Sequence, residues 1–442
     1  MNMTGHPGPH SRRPCLPCGS HGDDREMVTC RRTRLIFAER VALPLCLSPP
    51  PVESDTRIYL DNAATSFPKP ESVVRAVTEY MTHCGVAAGR GSSRRATELD
   101  GRIASCRAAL ARLWNADSSR EILFTFNGTD SLNLAIHGSL RPGDHVVTTE
   151  LEHNSVLRPL REWETQRGVT LSIVAPEADG RVSPARIAQA LRPNTRLVVM
   201  NHASNVTGVI QPIVEVGDQL RSRPELLFLV DAAQTAGHVP IDVQQSRIDL
   251  LCCSGHKGLL GPLGTGVVSL KASRVAEVRS FRQGGTGSQS ESLEQPTQTP
   301  DKYESGNPNA AGLMGLAAAV EWIQGQGVEA LAERSARLVQ MLYDGLSSNP
   351  RVRVLSPNPS QMENAGVMSF VVDGIDPRVT ATLLDSHFGI EVRAGLHCAP
   401  LVHRSLGTLE AGGTVRASVG PFTTEADVDA LLTALLMIAT AM

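Results

Sequence analysis

Leu226-Leu227-Phe228-Leu229-Val230-Asp231 and Asp249-Leu250-Leu251-Cys252-Cys253-Ser254-Gly255-His256-Lys257 decide the fold. Each is an apolar run of single-strand length, too continuous for a sheet with one wet face, and each stops at polar groups. Runs of the same kind cover residues 121–126, 145–149, 170–174, 197–201 and 266–270. Helical patterns at 129–139, 156–167 and 184–191 lie between them. Strands alternating with helices predict an α/β fold with a largely parallel, doubly covered sheet.

A Gly- and Ser-rich stretch, 284–309, separates this block from a helix-rich segment beginning near Ala310. Short strands expected at 352–355, 367–372, 390–393 and 414–418 then make a smaller α/β unit. The reading is residues 1–55 as a disordered extension, 56–310 as a large domain whose first residues pack with the small one, and 311–442 as the small domain. In the extension, Cys15 and Cys18 with His6, His10, His21 and Cys30 form a lone CxxC without a second pair at finger spacing, so no metal site is expected.

The chain of 442 residues is 41% apolar and 20% charged, ordinary globular usage. A net charge of -3 gives no cationic field for nucleic acid. Residues 35–47 are too short and too interrupted by Glu39 and Arg40 to span a bilayer, and the first 34 residues lack the order of a signal peptide. Nine irregularly spaced cysteines suit a reducing compartment, and the chain is expected to be cytoplasmic, with no membrane partner.

Three features carry chemistry. Asn127-Gly128-Thr129 joins a strand to a helix, so free backbone N–H groups, the helix N-terminus and the Thr129 hydroxyl face a common point suited to phosphate. Asp231 closes its strand at the carboxyl edge of the sheet, where open α/β folds bind ligands. Lys257 closes a second strand among Gly255, Gly258 and Gly261, a setting that lowers an amine's pKa. Taken singly, each also reads as structure: Thr129 as a helix cap, Asp231 as a turn cap, Lys257 as a surface charge. Together, a phosphate cradle, an acid for a ring nitrogen and an amine for a Schiff base meet the requirements of pyridoxal phosphate.

Tyr59-Leu60-Asp61-Asn62-Ala63-Ala64-Thr65, Ser204-Asn205, Val230-Asp231-Ala232-Ala233-Gln234 and Ser254-Gly255-His256-Lys257 resemble the class V aminotransferase pattern from Tyr59 to the C-terminus. Val392-Arg393-Ala394-Gly395-Leu396-His397-Cys398-Ala399-Pro400 is similar to the corresponding loop of group II cysteine desulfurases and selenocysteine lyases, departing from its commonest form at Leu396 and at Pro400. The resemblance implies the fold type I of pyridoxal-phosphate-dependent transferases, with a mixed, mostly parallel seven-stranded sheet, and a homodimer. It implies that Lys257 carries the cofactor, Asp231 pairs with its ring nitrogen and His153 stacks on the ring. Asn205 and Gln234 would lie near the phenolic oxygen, with Gly128, Thr129, Ser254 and His256 at the phosphate and Thr286 reaching the other subunit's phosphate. Arg416 would clamp the substrate carboxylate beside Arg393 and Asn205.

Cys398 decides the reaction class. Cys252 and Cys253 read as small buried hydrophobes, whereas Cys398 lies in a loop beside Arg393, where thiolate is favoured. The implied reaction converts L-cysteine to L-alanine with sulfur held as a persulfide on Cys398, His153 serving as acid and base. An unidentified acceptor protein then takes the sulfur, for iron–sulfur cluster assembly or another branch of sulfur metabolism. The alternatives are a selenocysteine lyase, a class V aminotransferase or lyase that does not use Cys398, and a non-catalytic subunit of the same fold.

Overall fold

In the computed structural model, which describes residues 57–441 except Arg90, the apolar runs form one sheet. The chain enters through β1 (Ile58–Tyr59) and the helices Glu71–Glu79 and Arg94–Leu113. It then lays down β2 (Ile122–Thr125), β3 (His145–Thr149), β4 (Thr170–Val174), β5 (Thr195–Asn201), β6 (Leu227–Asp231), β7 (Leu250–Ser254) and β8 (Gly266–Leu270). The spatial order is β2-β8-β7-β6-β5-β3-β4, with β8 antiparallel to both neighbours and every other pairing parallel. This is the mixed, mostly parallel seven-stranded sheet that the family resemblance implies.

The continuity of the runs has a direct cause. Phe228 and Val230 enter one apolar cluster and Leu227 and Leu229 the other, so alternate residues of β6 are covered on opposite faces. At their carboxyl ends the central strands are in register, Asn201 beside Asp231 and Asp231 beside Cys252. Polar residues that close the runs therefore meet along one edge.

The smaller lobe holds β9 (Val352–Val354), β10 (Val367–Val372), β11 (Ile390–Glu391), β12 (Arg393–Gly395) and β13 (Thr414–Ser418). Four of them form an antiparallel sheet, β12-β13-β10-β9. The run 390–393, expected as one strand, is two: β11 pairs with β1, and β12 pairs with β13. Leu60, just after β1, is buried in the small-lobe core with Leu342, Phe370, Leu384 and Leu431.

The composition break at 284–309 suggests a change of domain at 311, yet the helix Ala310–Gln326 places Leu313, Leu316, Val320 and Ile323 in the core of the large sheet. That helix is apolar nearly all round and packs on Glu71–Glu79 and Arg94–Leu113. The cores change hands within the next helix, Val328–Ser348, between Leu331 and Leu338. Cys15, Cys18 and the rest of 1–55 lie outside the described residues. Among the described residues no helix is long and apolar enough to cross a membrane, and no cluster of His, Cys, Asp or Glu is placed to hold a metal ion.

Phe370 is fully buried at the centre of the small lobe. Phe370→Ala should cost about 3–5 kcal/mol, read as a lowered midpoint of urea unfolding. An unchanged midpoint would show that this core does not hold the lobe.

Candidate active site

One cavity of about 260 Å³ opens at the carboxyl ends of β5, β6 and β7. Gly128, Thr129, His153, Asn205, Asp231, Gln234, Ser254, His256, Lys257, Arg393, Cys398 and Arg416 all line it, twelve of the thirteen residues singled out from the sequence. The thirteenth, Thr286, lines a separate cleft with Arg107, Phe126, Arg282 and Glu304.

At one end, Asn127 caps the helix Gly128–Ser139 through Oδ1, which accepts the Asp130 N–H at 2.9 Å. The free N–H groups of that helix start face the cavity's hydroxyls: Thr129 and Ser155 share a 2.8 Å hydrogen bond, and Ser254 lies against Gly128. A Cβ at residue 128 would collide with Ser254 Oγ, so the backbone there can be approached closely only because the residue is glycine.

Asp231 is buried and its carboxyl pKa is raised by burial, against opposing pulls from the Ala233 N–H, 2.9 Å from Oδ1, and from Lys257. Burial likewise lowers the Lys257 amine to about 8, with Asp231 resisting and Arg416 and Arg393 assisting. His153 caps the helix Asn154–Arg167: its Nδ1 accepts the Ser155 N–H at 3.0 Å, which puts the proton of the neutral ring on Nε2. Burial, Lys257, Arg158 and Arg416 hold that ring's pKa down at about 4, so it is uncharged at neutral pH. The carbonyl of His256 accepts from Lys69 Nζ at 2.8 Å and from the Ser66 N–H at 3.1 Å, which fixes the backbone entering Lys257.

The opposite wall comes from the small lobe. Arg393 and Arg416 are cross-strand partners on β12 and β13 and share a face. Arg416 is 2% exposed; its Nη1 donates to the Asn205 carbonyl at 3.0 Å and its Nη2 to Asp61 Oδ1 at 2.8 Å, while its buried Nε has no partner among the described residues. Asp61 Oδ2 lies 3.7 Å from Arg393 Nη1. His397 and Cys398 both have left-handed backbone, φ 48° and 58°, a conformation that costs a non-glycine residue roughly 1–3 kcal/mol. Two bonds hold it there: Asn205 Nδ2 donates to the His397 carbonyl at 2.6 Å and the Asn154 N–H to the Cys398 carbonyl at 2.7 Å. The Cys398 side chain remains exposed.

Asp61 and Lys69 were not singled out from the sequence. Asp61 stands inside the quoted stretch Tyr59–Thr65, but the arginine that gives it meaning is 355 residues away. Lys69 carries no local signal at all. Its amine, lowered to about 8 by burial, acts on the backbone of a distant residue.

The donor set fits pyridoxal phosphate. The helix start with Thr129, Ser155, Ser254 and His256 suits a phosphate, and the Asp231 carboxylate, which accepts only the Ala233 N–H among the described residues, suits a cationic ring nitrogen. Lys257 supplies the amine, and the buried Asn205 Oδ1, which has no partner among the described residues, is an acceptor still to be satisfied.

Comparison with known proteins agrees with this chemistry. Residues 58–431 match the class-V aminotransferase family. The chain is 35% identical over 380 residues to a probable cysteine desulfurase of Methanothermobacter thermautotrophicus, covering 85% of this chain and 92% of that one. It is 32% identical over 390 residues to the cysteine desulfurase CsdA of Escherichia coli, covering 87% and 94%. The fold superimposes on the apo structure of a cysteine desulfurase from Thermococcus onnurineus NA1 with a TM-score of 0.80 at 32% identity, covering 87% of this chain and 95% of the other.

With its pKa near 8, roughly a tenth of the Lys257 amine is neutral at pH 7, far more than for an ordinary lysine. Only the neutral amine attacks a carbonyl. Stopped-flow capture of pyridoxal phosphate by the cofactor-free protein should quicken about tenfold from pH 6 to pH 7 and level off above about pH 8. A rate still climbing through pH 10 would contradict it.

Proposed function

The chain belongs to the class-V aminotransferase family, and from that premise we propose that it is a pyridoxal-phosphate-dependent cysteine desulfurase of the group II kind. The observation that carries the reading is that Cys398 lines the same cavity as Lys257, Asp231 and Arg416. A family member working on amino groups alone needs no thiol there.

Pyridoxal phosphate bound in the cavity supplies a carbonyl carbon that captures the substrate's amino group and a conjugated ring that makes the neighbouring Cα–H acidic. Asp231 would hold its ring nitrogen, the uncharged His153 its ring, and Asn205 and Gln234 its phenolic oxygen. Arg416, with Arg393 beside it, holds the carboxylate of L-cysteine through the guanidinium fork. The Lys257 amine, once free, takes the Cα proton. The Cys398 thiolate then attacks the substrate sulfur. As the new S–S bond forms, the Cβ–S bond breaks, its electron pair leaves with carbon, and that carbon takes up a proton on the way to L-alanine. His153 moves protons to and from the substrate sulfur. The persulfide rests on an exposed side chain, from which an acceptor protein removes it.

The large lobe supplies the cofactor site and the small lobe the Cys398 loop. We place two such chains in a homodimer, with Thr286, which lines a cleft apart from its own chain's cofactor cavity, reaching the neighbour's phosphate. All five described cysteines are free thiols, in keeping with a reducing, cytoplasmic setting, and iron–sulfur cluster assembly is the use of the sulfur we assign to the chain.

Alanine release from L-cysteine should be abolished by Lys257→Ala. In Cys398→Ala it should fall at least a hundredfold, and in the wild type it should stall near one equivalent per site until a thiol reductant is added. Full turnover by Cys398→Ala would sink the desulfurase reading and leave a pyridoxal-phosphate enzyme of another kind. Asp61→Asn, which loosens both arginines and also removes a charge that favours protonated Lys257, should raise KM for L-cysteine roughly tenfold, an effect of about 1.4 kcal/mol, with a smaller change in kcat. A loss confined to kcat would show that Asp61 does not act through the carboxylate clamp.

A further inference from the structure

Cys398 stands on a backbone that two hydrogen bonds hold in a left-handed conformation, one to the carbonyl of His397 and one to its own. Both act on main-chain oxygens. Two ordinary hydrogen bonds do not by themselves offset two strained residues in succession. The side chain of His397, the residue that shares the strain, supplies a further attachment.

The His397 ring is buried, and its Nε2 lies 3.0 Å from Thr414 Oγ1 on β13. From there a chain of contacts runs inward. The Thr414 hydroxyl donates to Ser369 Oγ on β10 at 3.2 Å, and the Ser369 hydroxyl donates to the Val206 carbonyl of the large lobe at 2.6 Å. Counting protons orients the chain. A carbonyl can only accept, so the single hydroxyl proton of Ser369 is committed to Val206. Ser369 Oγ therefore takes the proton of Thr414, and Thr414 Oγ1 in turn can only accept from the ring. The proton of the neutral imidazole thus sits on Nε2, and Nδ1 is bare, buried and without a partner among the described residues.

Because His397 adjoins the thiol in sequence, a base that activates Cys398 is the obvious reading of it. The geometry opposes that reading. Nε2 already gives its proton to Thr414, and Nδ1 has no hydrogen bond to anything described, the Cys398 thiol included. Burial, then Arg416, His403 and Arg393, push the ring's pKa down to about 2 against an opposing pull from Thr414, so the ring is uncharged. The His403 ring, 5.6 Å away between centroids, is tied to Thr408 Oγ1 through Nδ1 at 2.8 Å and is held at about 4 by burial.

We infer that His397 is a positioning residue: through Thr414 and Ser369 it ties the Cys398 loop to β13, β10 and the Val206 carbonyl, and so fixes the point from which the Cys398 sulfur is aimed at the substrate. The inference rests on the desulfurase reading of Cys398. The chain ends at the residue after Asn205, whose amide holds the His397 carbonyl, so the main chain and the side chain of His397 are both referred to one stretch of the large lobe. Sulfur transfer needs that aim, and the steps at Lys257 that precede it do not.

The test uses the holoenzyme with L-cysteine and a thiol reductant. Thr414→Val nearly keeps the shape of the side chain but removes the acceptor of the ring's proton, whereas Thr414→Ser keeps it. Thr414→Val should lower kcat for alanine release at least about tenfold with KM within about twofold, and Thr414→Ser should restore it. His397→Gln, whose amide N–H reaches about as far as Nε2, should keep most of the rate that His397→Ala loses. The His397 pair decides the matter if Thr414→Val does not fold. Exchange of the Cα proton of L-alanine in deuterium oxide, which calls on Lys257 but not on Cys398, should be the same in every variant. Alkylation of Cys398 by iodoacetamide, followed by peptide mass spectrometry, should stay within about twofold, since the thiol is exposed and no base has been removed. Wild-type kcat in Thr414→Val or in His397→Ala overturns the inference. A loss in His397→Gln as deep as in His397→Ala, with slowed alkylation, overturns it in favour of a base. A matching loss of deuterium exchange overturns it as general damage to the site. If the wild type releases no Cys398-dependent alanine, the functional reading has failed and takes the inference with it; the other outcomes arise only where the wild type desulfurates, so the two failures are told apart.

Discussion

Arg416 is held at 2% exposure between three distant stretches of chain: it sits on β13 of the small lobe, donates to the Asn205 carbonyl of the large lobe, and pairs with Asp61 just past β1. A guanidinium cannot shed its charge, so burying it there is tolerable only while those acceptors stay in place. Burial lowers its pKa and Asp61 opposes the shift, which is the same dependence seen from the other side. The requirement reaches outward. Asp61 is delivered by a segment threaded onto the small lobe, where Ser418 N–H donates to the Leu60 carbonyl at 2.7 Å and Ile58–Tyr59 pairs with Ile390–Glu391. Asn205, whose carbonyl takes Arg416, uses its amide to hold His397 in place beside Cys398. Lobe packing, the clamp and the thiol loop thus share one electrostatic condition.

Beneath the cavity a second balance operates between carboxyls. Glu152 is fully buried, and burial together with the nearby Asp231 raises it to about 8. It is therefore largely protonated at neutral pH, with Oε1 accepting from Thr149 and from the Asn201 N–H. Two ionised carboxylates at this depth would repel each other strongly. Keeping Glu152 neutral leaves Asp231 as the anion that Lys257, or a cationic ring, meets at this edge of the sheet.

The large sheet was legible in the sequence because burial on both faces writes an unbroken apolar run, and polar closure of each run marks the edge where ligands bind. Asp231, Lys257 and Thr129 could be placed from that pattern alone. Less was legible where one short run serves two sheets. Residues 390–393 carry no mark that Val392 is a crossing point, because alternation has the same period in both strands. The helix Ala310–Gln326 misled for a related reason: the loop before it looks like a boundary, while its all-round apolar surface says only that it is buried, not in which core. Asp61 and Lys69 lie beyond any local reading, since each acts on a group brought near solely by the fold.

The backbone of Cys398 is pinned on both sides, through the His397 carbonyl to Asn205 and through its own carbonyl to Asn154. A side chain mounted on so fixed an anchor has a short working radius, set by rotation about Cα–Cβ, and cannot travel across the surface to find a recipient. Delivery therefore falls to the visitor. Any molecule that reacts with the Cys398 sulfur has to bring its own reactive atom to that fixed point. Such a mounting fixes where the sulfur can point while leaving it open to solvent.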